Sequence, residues 1–209
     1  METGNNSSDE FELRETDIGT EELIFPDGST EWAETIQVGK CTVAATTGEN
    51  VVAVFVDGEL SFTIDEYVQV LSPLNRSIEV SETGYIAYHT GEHQEKIFNL
   101  VTWEGETVLQ RVVEVARRPS FTPNGNYVAF WRLSDKTIYC YDVEDAMDAG
   151  RFQTTDIRDH SEVGRAVNIG VEGVTYQGDP AFKVTDTYGG DDELLGYISP
   201  TGDLLETTL

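Results

Sequence analysis

From Glu22 onward, apolar runs of four to eight residues alternate with turn signals built from Gly, Asp, Asn and Pro. The runs are rich in β-branched and aromatic side chains, and amphipathic helical spacing barely occurs. One stretch, DVEDAMDAG (142–150), predicts a short turn of helix. The pattern otherwise predicts an all-β protein. Ahead of it, residues 1–20 are polar, acidic and rich in Asn, Ser and Gly, and they predict a disordered acidic tail. A single domain is expected over 21–209.

The runs also resemble one another. VVAVF (51–55), YIAYH (85–89), YVAFW (127–131) and GVTYQ (173–177) are similar, and each is preceded or begun by a glycine: Gly48, Gly84, Gly125 and Gly173. Eight residues before each glycine stands a cation: Lys40, Arg76, Arg117 and Arg165. Four residues after each cation the side chain is apolar (Ala44, Val80, Phe121, Ile169). Hairpins follow the repeats at ELSFTIDEYVQVL (59–71), KIFNLVTWEGETVLQRVV (96–113), TIYCYDVEDAMDAGRFQTT (137–155) and ELLGYISPTGDLLETTL (193–209). A further copy, EELIFPDGSTEWAETI (21–36), precedes the first complete unit. The unit is therefore cation, strand, Gly turn, strand and hairpin. That makes four strands in about 40 residues.

With those residues in view, PSFTPNGNYVAFWRLSDKTIYCYDV (119–143) resembles a blade of the WD-repeat and TolB-like β-propellers. The likeness is specific over 117–143 and looser across 40–209. The Gly-His and Trp-Asp dipeptides of true WD repeats are absent, so the resemblance implies architecture alone. It implies about four four-stranded blades plus an extra N-terminal hairpin, four to five blades in all. The hairpin would lie outside the ring or supply half of a fifth blade. In propellers the innermost strand begins at the mouth of the channel. Lys40, Arg76, Arg117 and Arg165 would then ring that mouth, with Arg118 beside them. Such a ring could attract an anion, since the guanidinium fork suits carboxylate or phosphate. It could equally be structural, each cation pairing with an acid of the next blade.

Charge sharpens the interest of that ring. Lys+Arg is 13 and Asp+Glu 39, a net charge of −26, and only four of the cations are lysines. Such a field repels itself at ordinary ionic strength and is screened at molar salt. The composition resembles that of proteins from a high-salt cytoplasm, and the expected location is cytoplasmic. The field also argues against nucleic acid, and no apolar run is long enough for a membrane span. METGNNSSDEFELRETD lacks the pattern of a signal peptide. Cys41 and Cys140 lie in apolar strand patterns and read as buried free thiols.

Other candidates are weaker. HTGEH (89–93) places two histidines four apart, but in a Gly-containing loop without a third ligand, so it reads as a solvated loop rather than a metal site. His160 stands alone. DTYGGDDE (186–193) is oxygen-rich but lacks the ligand order of an EF-hand. Trp103, Trp131, Tyr139 and Tyr141 read as blade packing. No G-x-S-x-G, P-loop or G-x-G-x-x-G occurs, and no cofactor is implied. The expectation is a non-enzymatic binding or scaffold propeller whose partner is a protein or a small anionic ligand. The alternative is a small lactonase- or lyase-like propeller enzyme, with a sugar-binding propeller third.

Overall fold

Apart from one 3₁₀ turn (Thr154–Asp156), every regular element among the described residues is a strand, paired antiparallel with its neighbours in one of four sheets. The computed structural model describes residues 10–46, 51–64, 78–91, 96–114, 116–158, 168–187 and 192–208. The first sheet runs in chain order through β1 (Glu12–Glu15), β2 (Glu21–Ile24), β3 (Thr30–Val38), β4 (Cys41–Thr46), β5 (Val52–Val56) and β6 (Glu59–Ile64). Three four-stranded sheets follow. One holds β7 (Ile78–Val80), β8 (Tyr85–Thr90), β9 (Ile97–Thr102) and β10 (Thr107–Val112). The next holds β11 (Ser120–Phe121), β12 (Tyr127–Arg132), β13 (Thr137–Asp142) and β14 (Met147–Gln153). The last holds β15 (Ile169–Tyr176), β16 (Asp179–Asp186), β17 (Glu193–Ile198) and β18 (Leu204–Thr207).

A recurring hydrogen bond fixes which strands are equivalent. The residue after a blade's third strand donates its N–H to the carbonyl just before the second strand: Asp57 to Lys40, Trp103 to Gly84, and Val143 to Asn126. Blade one is therefore β3–β6, and β1–β2 is an added hairpin on its first strand. The expected count of four blades plus an N-terminal hairpin holds, but the hairpin begins one strand earlier than the 21–36 copy suggested. DVEDAMDAG is corrected as well. It forms the end of β13, a turn and the start of β14, because Met147, Asp148 and Gly150 pair back with Asp142, Tyr141 and Cys140.

Strand alternation sends one face of each sheet into a neighbour. Cys41, Val43 and Val54 of blade one pack with Ile78, Ile86 and Trp103 of blade two. Phe98 and Leu100 pack with Phe121, Val128 and Phe130 of blade three. Trp131, Ile138 and Cys140 pack with Phe182, Val184 and Leu195 of blade four. Three seams result. No core cluster of the described residues joins blade four to blade one. Cys41 and Cys140 are free and buried in these seams, and burial pushes their thiols up to about 11 and about 12.

The disordered-tail expectation is corrected from Glu12. β1 pairs with β2 from Glu12↔Ile24 to Glu15↔Glu21. Leu23 and Phe25 are buried against Ala44, Ala53 and Phe55, with Phe11 and Leu13 packed over them. Phe11 also stands edge-on to Phe25 at 5.4 Å. These few apolar side chains, diluted among acids in the sequence, cover a face of blade one that no other blade reaches among the described residues. Deleting residues 1–15 should therefore cost about 2–4 kcal/mol, the transfer cost of uncovering one or two large side chains. A thermal melt of the truncated chain checks this. An unchanged midpoint would mean that the hairpin covers nothing of consequence.

Candidate functional site at the entry end

Each blade has two ends. At the turn end lie the short turns between first and second strands and between third and fourth. At the entry end lie the connectors between blades and the loops between second and third strands. Neighbouring turn ends touch: Gly125 lies against the side chains of Ser81 and Thr83, and Gly39 against Trp103.

The predicted cations divide between the two ends. Lys40 sits in the β3–β4 turn, in the position that Asn126 holds in blade three. It pairs with Asp57 at 3.6 Å and reaches over the Trp103 ring. Arg117 enters blade three at the other end, its N–H bonded to the Trp131 carbonyl at the far end of β12. The six residues of β12 separate the two levels by roughly 17 Å at strand rise. Lys40 and Arg117 therefore do not share a ring. Arg118 ion-pairs with Glu79 on the first strand of blade two, so it fastens one blade to the next. Arg76 and Arg165 lie outside the described residues.

The entry end holds cations that the repeat did not flag. Lys96 and Lys136 each stand immediately before a third strand and are equivalent. The carbonyl of Lys96 accepts from Val113 N–H, and that of Lys136 from Thr154 N–H. The signal lay in the sequence, where EKIFNLVTW and DKTIYCYDV align lysine to lysine. Arg132 is held by Asp135 at 2.5 Å and by the Tyr139 hydroxyl, its guanidinium 4.5 Å from the Tyr139 ring centroid. Burial disfavours the Asp135 carboxylate, but the hydrogen bonds from Arg132 and Tyr139 outweigh it and hold its pKa at about 2. Arg158 bridges Asp186 (3.4 Å) and Glu193 (3.2 Å). Its guanidinium thus lies between two acids of the DTYGGDDE segment. Asp191 and the two glycines are outside the described residues.

Lys96 differs from these paired cations. It is 8% exposed, and no carboxylate among the described residues pairs with it. Burial first, and then the nearby Arg117 guanidinium, push its pKa below the ordinary lysine value. Beside it, His89 is 3% exposed, lodged between Phe98 (5.5 Å) and Phe130 (5.1 Å), with Nε2 unpartnered. Burial and Lys96 push this imidazole down to about 3, so it is neutral. The solvated-loop reading of HTGEH is corrected at His89, which lies within β8 and is buried in the second seam; His93 and His160 are outside the described residues. Trp103, Trp131, Tyr139 and Tyr141 are buried in the seams, as blade packing requires.

The turn end differs in its scarcity of cations. Asp57, Glu82, Glu104, Glu106, Glu144, Asp145, Asp179 and Asp203 lie in or beside its turns, and Lys40 is the one cation there among the described residues. The sheets thus carry their charge asymmetrically from end to end.

No family model matches the chain, and no curated protein sequence does. Solved structures do. The complex of KlAtg21 with the coiled-coil of AgAtg16 superposes with a TM-score of 0.51 at 10% identity, covering 86% of this chain and 62% of that one. The β-propeller domain of Myceliophteria thermophila Cps50 (Swd1) gives 0.43 at 8% identity, covering 87% and 64%. The chain spans about three fifths of the length of these proteins. The architecture is that of a WD-repeat-like β-propeller.

Proposed function

We propose that this protein is a non-enzymatic binding propeller, and that its entry end between blades two and three receives an anionic group. The group is a small oxyanion or an acidic segment of a partner protein. One observation carries the reading. In a chain of net charge −26, Lys96 is buried beside Arg117 without an acid among the described residues to pair with. A cation desolvated next to another cation costs stability and persists where something else repays it. Neutral His89 adds an unpartnered nitrogen to the same neighbourhood. The solved KlAtg21 complex is a propeller holding a coiled-coil segment, which is in keeping with a partner of that kind. Among the described residues, no helix is long and apolar enough to cross a membrane.

The test is calorimetric titration with inorganic phosphate and with a hexaglutamate peptide. Lys96→Met and Arg117→Gln should each weaken whichever probe binds by about tenfold, the scale of one charge-assisted hydrogen bond. Binding that survives both substitutions would overturn the reading. Stability should move the other way. A folded-state pKa below the unfolded one means that the native chain holds fewer protons over the intervening range. Wild-type stability should therefore rise as pH climbs from the depressed folded value toward 10.5, the ordinary lysine value. Lys96→Met should melt higher at neutral pH and lack that alkaline gain. Equal slopes in the two proteins would contradict this.

A further inference from the structure

At the opposite end, the seam between blades three and four opens into a cavity of about 360 Å³. Its walls are Tyr127, Tyr176, Pro180, Pro200 and Leu205, and Asp179 stands at its rim. The volume is at the lower end of small-molecule pockets, and Gln177, Ser199 and Thr201 add polar groups to the lining. We propose that this cavity binds an alkyl-guanidinium or alkyl-ammonium group, the side-chain chemistry of arginine and lysine.

Three features carry the inference. First, the walls are aromatic and aliphatic, matching the methylene stem of such a group, and tyrosine faces attract cations. Second, the one charged residue that lines it is an acid. Asp179 is exposed and has no cation partner among the described residues, while Asp203 and Glu206 lie just behind the wall. No cation lines the cavity. Third, the wall is held in place before any ligand arrives. Tyr176 stacks on Tyr197 at 4.5 Å and 20°, and its hydroxyl donates to Glu206. Ser199 and Thr201 share a hydrogen bond of 2.7 Å, and Thr201 donates to Asp203. Gly202 (φ 89°) presses this turn onto β14 so closely that a methyl group there would lie 2.3 Å from the Arg151 carbonyl oxygen. A rigid wall saves the ordering cost of binding.

The site is separate from the entry end and does not depend on the anion reading. NMR titrations with agmatine, with Ac-Ala-Arg-Ala-NH₂ and with the same peptide carrying citrulline test it. The expected result is saturable shifts of the Tyr127 and Tyr176 ring signals with agmatine, with the arginine peptide or with both. The citrulline peptide should give none. Asp179→Asn, an exposed substitution that leaves the melt unchanged, should weaken binding about fivefold, the scale of one solvent-facing charge pair. Equal affinity for agmatine and the arginine peptide would assign the pocket to free organic cations. A peptide bound tenfold more tightly would assign it to a basic protein segment. The proposal is overturned if neither cation binds, if citrulline binds as well as arginine, or if Asp179→Asn makes no difference.

Discussion

Gly173→Ala should destabilise the protein by about 3 kcal/mol or more, at the upper end for an overpacked core. Gly173 sits within β15, where blade four's first strand passes β11 of blade three. An added methyl group would lie 1.8 Å from the Phe121 carbonyl oxygen and 2.8 Å from the Thr122 Cα. Both are main-chain atoms, so no side chain can swing away. The strands would have to part, and the bond from Gly173 N–H to Ser120 Oγ (3.1 Å) would go with them. The packing of Phe182 and Val184 against Trp131 depends on the same approach. Chemical denaturation of the two proteins measures the difference. A loss under 1 kcal/mol would mean that the first strands are not in contact there.

The melting midpoint should climb by about 10 °C or more between 0.1 and 3 M KCl, equivalent to a few kcal/mol in a chain of this size. The net charge is −26, and the turn end concentrates acids with one described cation among them. At 0.1 M salt the Debye length is about 10 Å, long enough for neighbouring turns to repel; at 1 M it is about 3 Å. Exposed pairs such as Lys40–Asp57 weaken with the same screening, but each contributes little. Repulsion relieved should therefore outweigh attraction lost. A flat midpoint would count against the high-salt reading of the composition.

The strand count was legible in the sequence because alternation and turn residues are local signals. Registration between blades was not. YIAYH and YVAFW are second strands (β8 and β12), but VVAVF is a third strand (β5) and GVTYQ belongs to a first strand (β15). All are short apolar runs near a glycine, and a slip of one strand leaves that pattern intact. Gly125 lies in a turn with φ 72°, whereas Gly173 is a glycine because another backbone passes close by. The distinction depends on the neighbouring blade and leaves no trace in the chain itself. The same slip placed Lys40 beside Arg117. Lys96 looks in the sequence like any lysine before a strand, and its burial is a tertiary fact. His89 is a like case, since its neutrality follows from Phe98 and Phe130 arriving from two different blades.

Among the described residues, the three seams give the four sheets the logic of a linear array. Each blade gains most of its stability from the one beside it, so disturbance passes between neighbours rather than across the whole. The two outer faces of that array are unlike. Blade one ends under the lid of its own hairpin, with Leu23 and Phe25 sealed beneath Phe11 and Leu13. Blade four turns a different surface away from its neighbour, with Lys183 paired to Glu172. Polar pairs of this kind are cheap to open, whereas an aromatic lid is not. Unfolding therefore has a preferred direction, fraying from blade four and arriving last at the hairpin-capped sheet.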